Sequence, residues 1–131
     1  MLRVRLLMLL PICILAISPS FAQHINEPDS PCASVVVTSD LVACLSKARV
    51  SSDSALSSLY QTIRKNLDPT ETNQLVKTER LWVQYRDANC AAERDLYGQG
   101  TGGPPAYLAC LDAMTRERTR ELRITYTVRL K

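Results

Sequence analysis

Apolar residues recur three or four positions apart at Leu41, Cys44, Leu45, Ala48, Leu56, Leu59, Tyr60, Ile63 and Leu67, with polar residues between them. That spacing lays one apolar stripe along a helix, and Thr38-Ser39-Asp40 offers an N-cap at its start. The stretch Ser51 to Ser58 is serine-rich, and serine is a poor helix former, so the composition leaves room for a kink there. Asp68-Pro69-Thr70-Glu71 is the sharpest local signal in the chain. Asp68 can cap, Pro69 suits the first helical position, and Glu71 stands where a capping box wants a carboxylate. One helix ends there and the next begins almost at once, which forces an antiparallel hairpin. The second helix carries Leu75, Trp82, Val83, Arg86 and Cys90 and runs to Tyr97, with Gly98 as its stop.

Gly98 to Gly103 holds four glycines in six residues and is followed by Pro104-Pro105, so it is a loop. A third helix is expected from about Pro105 through Leu108, Leu111, Met114, Arg118 and Leu122. Beyond it Ile124, Tyr126, Val128 and Leu130 alternate with polar residues, the pattern of an edge strand or of a frayed helix end. Fraying is the preferred reading. The predicted fold is all-α, an antiparallel three-helix bundle with two disulfides. Its expected core is Leu56, Leu59, Tyr60, Ile63, Leu75, Trp82, Val83, Leu108, Leu111, Met114 and Leu122.

The N-terminus obeys a different logic. Arg3 and Arg5 precede an apolar run from Leu6 to Ile17, and Ser20-Phe21-Ala22 has the small-x-small form of a cleavage site. The run is shorter than the roughly 20 residues that span a bilayer. Residues 1–22 are therefore expected to be a signal peptide, 23–38 a flexible leader with Pro28 and Pro31, 39–122 the helical domain, and 123–131 a basic tail. The mature chain would be secreted or periplasmic, with no membrane attachment after signal cleavage.

Removing the signal also removes Cys13 and leaves Cys32, Cys44, Cys90 and Cys110, an even number in an exported chain. Two disulfides are the default. A structural zinc site would bring its thiolates in as close pairs, and no C-x-x-C pair is present. Counting outward from the two turns leaves two pairings open. Cys90–Cys110 with Cys32–Cys44 is favoured, because the leader can fold back to the first helix. Cys44–Cys90 with Cys32–Cys110 is the alternative.

Charge narrows the function classes. Without Arg3 and Arg5, Lys plus Arg falls from 16 to 14 against 13 acids, a mature net of about +1. The basic excess lies in Arg116 to Lys131 and reads as a solvated helix face, so nucleic acid is not an expected partner. The glycine loop lacks the strand and lysine of a phosphate cradle. His24 is the only histidine and falls in the leader, which removes acyl-transfer triads. Glu79 and Asp87 sit eight residues apart on one helix, about 12 Å along its axis, too far for a glycosidase pair. No cofactor or metal is implied.

The second and third helices resemble the lysozyme-inhibitor LprI-like family, long labelled a domain of unknown function. The resemblance rests on Leu75, Trp82, Tyr85-Arg86-Asp87-Ala88 and Cys90, then the glycine loop, then Cys110, Met114-Thr115, Arg118 and Leu122. Asp53, Leu56 and Tyr60 add to it from the first helix, so it covers roughly Cys32 to Leu122. Ser57 stands where the family usually has asparagine, and Glu79 where it usually has glutamine. The resemblance implies a small exported helical domain that inhibits lysozyme and so has a protein partner, and the placing of the histidine and acids above argues against an enzyme. An adaptor for another protein partner is the alternative, and a small cell-wall hydrolase a third.

Two candidate sites follow from counting along the helices. Asp53, Arg86 and Arg118 lie on apolar stripes and should meet in one layer as an ion cluster, with Asp87 nearby. The loop from Tyr97 to Pro105 is the candidate partner-binding segment, through Tyr97, Gly98, Gln99, Gly100 and Thr101, with Arg94 at its flank.

Overall fold

The capping box at Asp68 decides where the chain reverses. Asp68 Oδ1 accepts the Glu71 amide at 2.8 Å, and Glu71 Oε2 accepts the Asp68 amide at 3.1 Å, with Pro69 at the first helical position. Two orphan donors are satisfied within four residues. The computed structural model describes residues 24–131 and contains three helices: α1 (Thr38–Lys65), α2 (Pro69–Asp95) and α3 (Gly103–Thr125). The signal peptide expected over 1–22 lies outside the described residues. No strand occurs among the described residues, and no helix among them is long and apolar enough to cross a membrane.

α1 runs unbroken through the serine patch, although its composition leaves room for a kink. Its hydroxyls bond back within the helix instead of competing with it. Ser52 donates to the Arg49 carbonyl at 3.0 Å and Thr62 to the Ser58 carbonyl at 3.0 Å. At the start of α1 the cap position is Val37, with no side-chain cap. Thr38-Ser39-Asp40 forms the first turn, where the Asp40 charge suits the helix dipole.

α3 lies between the other two helices, and α1 and α2 have little direct contact with each other. Small side chains make this possible: Ala106, Ala109 and Ala113 are buried on α3 and let its neighbours approach. Around it stand three small apolar clusters. Leu56, Ile63, Leu75 and Leu122 fill the end near the Asp68 turn, with Leu59, Tyr60 and Trp82 half-buried against them. Cys32, Leu45 and Ala109 form the second, and Cys90, Cys110 and Leu111 the third, with Met114 packed on it. Two expectations about the core change. Val83 is 38% exposed, because α2 turns that side away from α3, and Leu45, Ala106 and Ala109 are buried although the predicted core omitted them.

Cys32 pairs with Cys44, and Cys90 with Cys110. The segment expected to be a flexible leader is instead folded onto α3. It holds a 3-10 turn at His24–Asn26 and further turns closed by Ser30 N–H to Glu27 and Val35 N–H to Cys32. Ile25 and Val35 pack beside Leu45 and Ala109. At the other end, α3 continues to Thr125 and passes into a 3-10 turn over Thr127–Arg129. Tyr126 and Leu130, four apart, pack on the cluster at the turn, so the apparent alternation is a helical spacing.

Candidate interaction sites

Trp82 organises the middle of α2. Two guanidiniums lie over its ring, Arg86 at 5.1 Å and Arg118 at 5.8 Å from a ring centroid. Each cation is then held by its own acids. Arg86 Nη1 donates to Asp53 Oδ1 at 3.3 Å and to Thr115 Oγ1 at 3.2 Å, and its Nε donates to Asp87 at 3.0 Å. Arg49 Nε lies 3.3 Å from Asp53 Oδ2, an ion-pair distance without hydrogen-bond alignment. Arg118 Nε donates to Glu79 at 2.8 Å and its Nη1 to Glu121 at 2.7 Å.

Asp53, Arg86 and Asp87 thus meet directly, and Arg118 does not reach Asp53. Counting from the loops placed Arg118 in the Arg86 layer. Thr115 takes that place, and Arg118, three residues further on, meets Glu79 one layer nearer the Asp68 turn. The two networks meet at the Trp82 ring. Burial opposes the Arg118 charge, but the bonds to Glu121 and Glu79 outweigh it and hold the guanidinium above its ordinary range. Arg116 is raised against burial in the same way, by Asp112, Asp29 and Glu27. Through these acids Arg116 ties the leader to α3.

Because α1 and α2 diverge around this cluster, a groove opens between them. One part, about 290 Å³, is lined by Asp53, Leu56, Ser57, Tyr60, Glu79 and Arg86. The adjoining part, about 610 Å³, shares Tyr60 and Glu79 and adds Arg64, Arg80 and Val83. Ser57 and Glu79 both line it.

The loop between α2 and α3 forms the end of the molecule opposite the Asp68 turn. α2 ends at Asp95, not at the expected Tyr97, because the chain tightens there into turns closed by Tyr97 N–H to Arg94 and Gly98 N–H to Asp95, and Gly98 then turns left-handed at φ +55. The Tyr97 ring covers Gly102 so closely that a Cβ there would stand 2.4 Å from ring atom Cδ1. Gly98, Gln99, Gly100 and Thr101 form the exposed tip, and Cys90–Cys110 clamps its base. Arg94 is engaged rather than extended toward the tip. It pairs with Asp95 at 2.9 Å and lies over the Tyr107 ring, and the Asp95 hydrogen bond raises it above its ordinary range.

One contact had no signal in the sequence. The His24 amide donates to Glu93 Oε1 at 2.8 Å, and His24 Nδ1 lies 2.6 Å from Glu93 Oε2, across 69 residues of chain. Glu93 is buried, and these two contacts give both of its carboxylate oxygens a partner. Cys110 Sγ is close to both groups, but its sulfur is already bonded to Cys90 and offers no thiolate to a metal.

A family model of lysozyme inhibitor LprI matches residues 30–122. The chain belongs to the LprI family. The matched span contains both disulfides, the Trp82 cluster, the groove and the glycine loop. An uncharacterized protein of Rhizobium meliloti (strain 1021), R02472, is 26% identical over 119 residues, covering 81% of this chain and 84% of that protein. No solved structure matches.

Proposed function

We propose that this LprI-family member is an exported, non-enzymatic binding domain that inhibits a lysozyme-type muramidase through its α2–α3 loop. The observation that carries this reading is the loop's build, a narrow exposed tip on a clamped base. Glycosidases of this kind work with two carboxylates flanking the scissile bond. A blocking element must enter that cleft and present donors. The Gln99 amide and Thr101 hydroxyl make no hydrogen bond within the described residues, so both are available to an acid. Tyr97 over Gly102 and the Cys90–Cys110 bond limit how much conformational freedom the loop loses on binding.

Two disulfides support an oxidising compartment, secreted or periplasmic, in agreement with the signal peptide expected at the N-terminus. A catalytic reading has little to draw on. Glu79 and Asp87 are each neutralised by an arginine, and His24 is bound to a buried carboxylate. The test is a cell-wall lysis assay with purified muramidase. The parent chain should slow lysis and show no lysis alone, while Gln99→Ala/Thr101→Ala should inhibit at least tenfold more weakly, about 1.4 kcal/mol of binding. Full inhibition by the double variant moves the blocking element elsewhere, and no inhibition by the parent removes the reading.

A further inference from the structure

Charge pairing across the described residues is lopsided. Every side-chain carboxylate except Asp40 meets a basic side chain or caps a helix amide. Lys47, Arg64, Lys65, Lys77, Arg80, Arg123 and Lys131, in contrast, make no ion pair with the described acids. Four of these cations, Arg64, Lys65, Lys77 and Arg80, belong to the α1 and α2 ends joined by the Asp68 turn. Two of them, Arg64 and Arg80, line the same groove between the helices. Arg64 lies over the Tyr60 ring at 5.6 Å, and that ring is part of the groove wall. Lys77 flanks Arg80 on the adjoining face.

We infer that this groove is a docking site for an acidic amphipathic helical segment of a partner protein. Guanidiniums present a planar fork that matches a carboxylate, and here no internal acid occupies either fork. Glu79, the acid of the groove, is taken up by Arg118. Val76, Val83 and Tyr60 supply apolar walls between the two cations. The matching ligand therefore carries aliphatic side chains on the same face as its carboxylates, the i, i+3, i+4 pattern of a helix lying in a groove. Two diverging helices over a third leave a channel of that shape. A second copy of this chain is a poor occupant, because almost all of its own carboxylates are already engaged. The site is also separate from the glycine loop. The loop is a convex tip at the far end of the bundle, and the groove is concave, so the two cannot serve one cleft.

A labelled helical peptide with Glu and Leu on one face, titrated against the mature chain by fluorescence anisotropy, tests this without any muramidase. The peptide should bind and should weaken as salt rises. Arg64→Gln and Arg80→Gln should each cost roughly tenfold in affinity, the scale of one hydrogen bond to a charged group. Exchanging the peptide's Glu for Gln should weaken binding to the parent equally. Lys47→Gln, outside the groove, should bind like the parent. Neither arginine has a carboxylate partner, and the double variant gives up only the exposed Arg64 contact with the Tyr60 ring, so it should keep the parent's circular dichroism and lose no more than a few degrees in melting temperature. Equal affinity for the Gln peptide overturns the proposal, as does unchanged binding by the double variant. So does a preference for anionic phospholipid vesicles over the peptide, or self-association of the parent that the double variant abolishes.

Discussion

Arg118 on α3 donates to Glu79 on α2, and both side chains are almost enclosed, at 11% and 13% exposure. A pair so far from solvent adds little net stability against an apolar replacement, yet breaking it strands a charge. Arg118→Ala leaves Glu79 without its cation beside the Trp82 ring. The expected loss is about 2–4 kcal/mol, below the full penalty for a buried charge because some solvent remains. Glu79→Gln keeps an acceptor for Arg118, and Glu121 still balances the cation, so it should cost about 1 kcal/mol or less. Chemical denaturation of the two variants decides the matter. Equal small losses would show the pair to be solvated.

Arg86 makes a second, stricter prediction. Its guanidinium serves Asp53, Asp87 and Thr115 at once and lies over Trp82. Lysine cannot reproduce that fork. Arg86→Lys should therefore recover little of the roughly 2–4 kcal/mol lost in Arg86→Ala. Melting curves that place the lysine variant level with the parent would reduce the cluster to a point charge.

The two disulfides should separate by location. Closing 20 residues between Cys90 and Cys110 is worth about 3 kcal/mol on the chain-entropy model, so Cys90→Ala/Cys110→Ala should lower global stability by about that much. Cys32–Cys44 ties the leader to α1, and the leader is otherwise held by His24–Glu93 and Arg116. Its removal should accelerate amide exchange over residues 24–36 more than in the helices. Uniform acceleration along the whole chain would make the leader part of the cooperative core.

Local signals were legible in the sequence, and lateral relationships were less so. The Asp68–Glu71 box depends on neighbours in the chain and stands where its residue types place it, whereas α2 stops at Asp95, short of the expected Tyr97, and Gly98 takes its left-handed φ in the turn that follows. Periodicity marked Leu56, Ile63, Leu75 and Leu122 as one apolar set. It could not say that α3 would separate α1 from α2, because a stripe identifies a buried face and not the neighbour that buries it. The exposure of Val83 follows from that gap. The exchange of Arg118 for Thr115 in the Arg86 layer is an offset of less than one helical turn, finer than counting from loop midpoints resolves. His24–Glu93 had no pattern to announce it, since the pairing exists only once the leader docks.

The loop offers the last prediction. Gly102 has no room for a Cβ, because the Tyr97 ring occupies that place, and the ring can yield only by swinging off the loop. Gly98 is different: a Cβ there meets nothing within 4 Å, but its φ of +55 disfavours any L side chain. Gly98→Ala should cost about 1 kcal/mol of stability through backbone strain in the turn after α2. Gly102→Ala should displace Tyr97 and loosen the tip. If the tip enters a muramidase cleft, inhibition by Gly102→Ala should weaken more than its melting temperature falls, because the ordering cost is then met during binding. Inhibition and stability falling in proportion for both variants would show that the loop acts only through the fold.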